Sequence, residues 1–184
     1  DEQSGQIQSI GFSLYLDMLE RAVSALKAGE EIDLETTTNP QGEINLHVSA
    51  IIHDDYLPDI HNRLILYKRI ANASSAEELR DLQVEMIDRF GLLTVEIKNL
   101  FAIMTIKLAA VPIGIAKIDL GPQGGYIEFK GNTSIDPMKI VTLVQENPTC
   151  YQLKSATRLN ITLPLIEDQA RIQWLHEFIL KLNQ

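Results

Sequence analysis

The sequence predicts an α+β fold: helices packed with small antiparallel hairpins that form an antiparallel sheet, preceded by an N-terminal extension helix. Three observations predict it. Apolar residues recur at helical spacing in several stretches of 12 residues or more. Short apolar runs in the C-terminal half come in pairs joined by turn residues, which marks hairpins rather than single crossover strands. Hydrophobic residues make up 45% of the 184-residue chain, enough to bury a core.

The first predicted helix covers residues 11–28, where Phe12, Tyr15, Leu16, Leu19, Val23 and Leu26 share one face and Gly29 supplies a stop. An acidic segment, 30–35, and a turn-rich one, 36–42, read as a linker. Ile44, Leu46, Val48 and Ala50 alternate with polar residues and predict a strand over 44–50. Pro58 and Asp59 open a second helix to about Ala71, with Ile60, Leu64, Tyr67 and Ile70 on one side. Ser74-Ser75 followed by Glu77-Glu78 gives overlapping capping boxes for a third helix, which runs to Phe90 and stops at Gly91. A fourth covers 94–111, carries Ile97, Leu100, Phe101, Met104 and Leu108, and ends at Pro112.

Residues 113–120 and 126–129 form a predicted hairpin around the turn Gly121-Pro122-Gln123-Gly124-Gly125. Asp136-Pro137 opens a short helix ending near Asn147-Pro148. Residues 150–153 and 158–163 make a second hairpin. A final helix covers 167–182 with Ile172, Leu175, Ile179 and Leu182 on its core stripe.

The chain starts at Asp1 without a methionine or a signal-peptide pattern, which predicts a fragment or a processed product. No apolar run reaches the roughly 18 residues of a membrane helix. A single cysteine, Cys150, forms no internal disulfide and fits a reducing cytosol. The net charge of -9 argues against phosphate-backbone binding as the main role. Such charge suits a basic protein partner, and equally serves solubility alone.

No enzymatic motif emerges. Neither a P-loop nor a Gly-x-Ser-x-Gly elbow occurs. The glycine cluster at 121–125 joins two strands, whereas a phosphate loop leads into a helix N-terminus. Cys150 has no nucleophile context. His53, Asp54, Asp55, Asp59 and His61 lie close in sequence, but Pro58 interrupts them, and they read as a solvated loop rather than a metal site. Trp174 and Phe178, four apart, predict a packed pair on the last helix.

The third helix carries the most specific signal. On a wheel of about 100° per residue, Leu79, Leu82, Met86, Ile87 and Phe90 form the apolar face. Glu77, Glu78, Asp81, Glu85 and Asp88 cluster opposite, with Arg80 and Arg89 at the edges. Glu77 and Glu78 suit the first turn of the dipole, and Glu85 with Arg89 is an ordinary i, i+4 pair. Asp88 sits in the last turn, where the dipole disfavours a carboxylate. The wheel fits both a solvated face and a docking surface.

The stretch from Asp54 to Gly91 resembles the C-terminal domain of the bacterial transcription-repair coupling factors. The residues concerned are Asp54-Asp55-Tyr56-Leu57-Pro58-Asp59, Arg63-Leu64, Tyr67-Lys68-Arg69-Ile70, Glu85 and Asp88-Arg89-Phe90-Gly91. Gly124-Gly125, Ile127-Glu128-Phe129 and Thr157-Arg158-Leu159 add to it. Thr94 departs from the family, in which proline often follows the Gly-Leu-Leu run. Glu2-Gln3-Ser4-Gly5, Ile10-Gly11-Phe12, Tyr15, Met18-Leu19 and Ala22-Val23 look like the end of the family's translocase motor. The resemblance divides the chain into a motor tail, 1–36, and a regulatory domain, 37–184. Gln3, Ser4 and Gly5 match the motif that couples ATP hydrolysis to movement on duplex DNA.

The resemblance further implies a role. The family's whole protein uses ATP and Mg to displace stalled RNA polymerase and recruits the excision-repair protein UvrA, in the bacterial cytoplasm. Its C-terminal domain holds no cofactor and performs no catalysis. It docks on the UvrB-like N-terminal module of the same protein and covers the UvrA-binding surface. Glu85, Asp88 and Arg89 match the charged ridge that makes this contact. A competing reading is an accessory DNA contact through Arg63, Lys68 and Arg69 on the second helix.

Overall fold

The computed structural model describes residues 42–183. The extension helix expected at 11–28, the Gln3-Ser4-Gly5 motif and the boundary at 36/37 lie outside the described residues. Strand β1 (Glu43–Asn45) is followed by helices α1 (Ile60–Ala71), α2 (Ala76–Phe90) and α3 (Val95–Ala110). The hairpin β2 (Ile115–Gly121) and β3 (Gly124–Phe129) comes next, then helix α4 (Pro137–Glu146). A second hairpin, β4 (Tyr151–Ser155) and β5 (Arg158–Ile161), leads to helix α5 (Asp168–Asn183).

Four helices begin on the capping residues their sequence offers. Asp59 accepts a bond from the Asn62 amide at 3.1 Å and Ser75 from Glu78 at 3.1 Å. Thr94 accepts from Ile97 at 3.4 Å and Asp136 from Met138 at 2.9 Å. Thr94 thus caps α3 itself.

The strands form one five-stranded sheet in the order β1-β2-β3-β5-β4. It is an α+β architecture, but the sheet is mixed. β1 pairs parallel to β2, with Ile44 opposite Ile118, and this corrects the expected all-antiparallel arrangement. β1 is also shorter than the alternation over 44–50 predicts. The Asn45 side chain accepts the His47 amide at 3.1 Å, and His47 adopts a φ of +52°. That turn ends the extended run, because a strand cannot pass through left-handed backbone.

Register explains the two faces of the sheet. Ile44, Ile118, Ile127, Leu159 and Leu153 occupy one cross-strand row. The first four are buried and join Leu100, Phe101, Met104, Leu175 and Ile179 in a single core. Glu43, Lys117, Glu128 and Arg158 form the neighbouring row with alternating charge. Lys117 meets Glu43 at 3.0 Å and Arg158 meets Glu128 at 3.4 Å. The glycine pair of the first hairpin permits close strand approach: a Cβ on Gly125 would lie 1.9 Å from the Asp119 carbonyl oxygen.

Helix α3 is buried on most sides, including Asn99, and packs against α5, α2 and α1. Asn99 donates to the Ser49 carbonyl at 2.9 Å and accepts from Gln169 at 2.6 Å. Arg171 on α5 is buried to 1% exposure. Its guanidinium donates to the carbonyls of Leu46, His47, Leu165 and Ile166 and to the Asp168 carboxylate. Every charged donor is thereby occupied, which is the condition for burying an arginine. Trp174 and Phe178 stack at 4.9 Å, with Tyr151 beyond at 6.0 Å from Phe178.

Candidate functional site

The ridge predicted on the third helix is carried by α2, and its two ends are fixed. At the N-terminus, Glu78 accepts from the Ser74 amide at 2.8 Å, so its carboxyl is held below the usual range by that backbone bond first and the Ser74 hydroxyl second. At the C-terminus, Gly91 takes a φ of +91° and its amide donates to the Ile87 carbonyl at 2.9 Å. Tyr56 clasps the same end from the preceding loop. Its hydroxyl donates to the Gly91 carbonyl at 2.9 Å and lies 3.3 Å from that of Met86. Its ring meets Phe90 edge-on at 6.2 Å, and burial raises its pKa.

Leu79, Leu82 and Met86 are buried as the wheel predicts, and Phe90 is half-buried under Tyr56. Ile87 is not: it is 39% exposed, which corrects its assignment to the apolar face. It lies at the margin of that face on the wheel.

The three predicted site residues separate into two environments. Glu85 faces α1. Its carboxylate takes two bonds from Arg69, at 2.8 and 2.6 Å, and one from Arg89 at 2.8 Å. These bonds, Arg69 first and Arg89 second, pull its pKa down to about 2. Arg89 also lies over the Phe90 ring, 4.8 Å from its centroid. Asp88 is exposed, takes no part in this cluster, and has no polar partner among the described residues. The ridge therefore consists of an internally matched flank, Arg69–Glu85–Arg89, and an unmatched crest at Asp88.

Arg69 was the residue whose part the sequence could not disclose. It lies 16 positions from Glu85, on another helix, so the pair becomes visible only once α1 packs beside α2. Between the two helices runs a groove of about 400 Å³ lined by Lys68, Arg69, Asn72, Glu78, Asp81, Leu82 and Glu85. Arg63, the third base considered for DNA contact beside Lys68 and Arg69, donates to the Leu57 carbonyl at 2.7 Å and pins the start of α1. Among the described residues no three His, Cys, Asp or Glu side chains gather as metal ligands would.

A model of the TRCF domain matches residues 46–140, over half of the chain. The chain belongs to the TRCF domain family. It is similar to the transcription-repair-coupling factor of Haemophilus influenzae, 44% identical over 97% of this chain and 16% of that protein. It is also similar to that of Escherichia coli, 41% identical over 100% of this chain and 16% of that protein. This TRCF domain thus spans about a sixth of the length of these relatives. Its fold is similar to a solved C-terminal domain of transcription-repair coupling factor, with a TM-score of 0.65 and 19% identity. That likeness covers 79% of this chain and 96% of the solved one. The matched region contains α1, α2 and the whole ridge.

Proposed function

We propose that this TRCF domain is a regulatory, autoinhibitory interaction domain whose α2 ridge docks on the UvrB-like N-terminal module of its parent protein. Docked there, it covers the UvrA-binding surface of the resting protein. The observation that carries this reading is Asp88: an exposed carboxylate in the last turn of α2, without a polar partner among the described residues, on a helix end locked by Tyr56. The helix dipole opposes a carboxylate at that position, so a basic external partner supplies what local stability does not. Arg89, with its second face on Phe90, extends the same surface.

Within one protein a weak interface is sufficient, because the tether holds both surfaces at high effective concentration. Charged contacts at the rim give orientation and remain releasable. RNA polymerase and duplex DNA, engaged elsewhere in the parent protein, favour another domain arrangement and expose the UvrA site by shifting a population. ATP and Mg belong to the parent's motor in this reading. The glycines at 121–125 connect β2 to β3 and do not form a phosphate cradle at a helix N-terminus. The setting is the bacterial cytoplasm, and no helix among the described residues is long and apolar enough to cross a membrane.

The test is a binding titration of this chain against the UvrB-like module. Asp88→Lys replaces an attraction by a repulsion and is expected to weaken binding by on the order of tenfold to a hundredfold, most strongly at low salt. In the intact parent protein the same change raises UvrA binding. Equal affinity of wild type and Asp88→Lys at low salt refutes the ridge as the docking surface.

A further inference from the structure

The crest of α2 is not only acidic. Val84 is 54% exposed and Ile87 39% exposed. They lie at i and i+3 of one helical face, with Asp88 at i+4, so the three side chains are neighbours. Glu77 and Asp81 continue the same stripe toward the N-terminus. Leu92, just past the Gly91 cap, is 85% exposed. Val84 leaves over half of its surface and Ile87 over a third in solvent, and neither β-branched residue adds helix propensity to offset that exposure. Apolar positions surrounded by charge are the arrangement of an interface centre inside a polar rim.

We infer that Val84 and Ile87 form the energetic centre of the docking surface, and that the partner surface presents an arginine or lysine beside an exposed apolar side chain. This rests on the docking reading above and adds the chemistry of the contact. The basic group meets Asp88, and the apolar one covers Val84 and Ile87. Glu85 contributes framing rather than contact, since both its oxygens are taken by Arg69 and Arg89. Charge decides among occupants. A second copy would set Glu77, Asp81 and Asp88 against their own like charges, in a chain of net charge -9. An anionic lipid surface would be repelled in the same way.

The experiment compares Val84→Ala, Ile87→Ala and Asp88→Asn in titrations against the UvrB-like module at low and high salt. Alanine raises helix propensity, so loss of binding does not come from loss of α2, and circular dichroism checks this. Each alanine variant is expected to weaken binding by on the order of fivefold to tenfold, with the salt dependence unchanged. Asp88→Asn is expected to weaken binding and flatten the salt dependence. Alanine variants that bind like wild type while Asp88→Asn loses affinity overturn the apolar centre and leave the docking reading standing. Wild type that fails to bind at any salt overturns the docking reading and this inference with it. Sedimentation of the same variants detects the remaining case: a wild-type dimer that Val84→Ala dissociates identifies a second copy as the occupant, against the inference.

Discussion

Two carboxylates one turn apart on α2 have opposite fates. Glu85 is held by three charge-assisted bonds and titrates at about 2. Because its folded value lies below the ordinary 4.5, its stabilising contribution is complete at neutral pH and is lost as pH falls from about 4.5 through about 2. Solvent screens the cluster, so that contribution stays below about 1 kcal/mol. Carboxyl-carbon NMR across the acid range is expected to show Glu85 titrating well below the other glutamates. Arg69→Gln, which removes two of the three bonds, moves its midpoint up further than Arg89→Gln, which removes one. A Glu85 midpoint at the ordinary value would refute the pairing. The sequence distinguishes Glu85 from Asp88 only by position on a wheel. It identifies Asp88 through the dipole argument, which is local, but misses the Arg69 clamp, which depends on how two helices pack.

At the level of elements, local chemistry was the legible part. Asp59, Ser75, Thr94 and Asp136 cap helices because their side chains replace missing backbone partners, and that property travels with the residue type. The hairpins were readable for the same reason, through their turn residues. β1 was not: its alternation ran on to Ala50, while the Asn45 and His47 turn stops it after three residues, and its parallel partner lies some 70 positions away. The exposure of Val84 and Ile87 is not legible in the sequence, because a wheel shows angle but not which neighbours arrive to cover a residue. The C-terminal end of α2 offers a direct test. Tyr56→Phe keeps the ring on Phe90 but removes the bond to the Gly91 carbonyl. It is expected to lower stability by about 1 kcal/mol in chemical denaturation. Amide exchange in the last turn of α2 is expected to accelerate, without change in the sheet. Unchanged exchange there would mean the hydroxyl does not hold the ridge.

At the scale of the whole molecule, a buried arginine closes the fold. Arg171 joins the segment after β1 to the segment before α5, and Asn99, bonded to Ser49 and Gln169, makes a second tie between the segment after β1 and α5. Arg171→Met keeps volume but leaves the Leu46 and Leu165 carbonyls buried without donors. It is expected to destabilise the domain by roughly 3 kcal/mol in thermal or denaturant unfolding, and a loss under about 1 kcal/mol would show that water replaces the guanidinium. The same tie sets an order of events during synthesis. The Leu46 carbonyl leaves the ribosome long before the residue that satisfies it, 125 positions later. By the end of that interval the nascent domain has both hairpins and its first four helices but lacks the strut between the segment after β1 and the last helix. A ribosome paused before α5 therefore holds an open domain, and completion waits for the final helix to emerge.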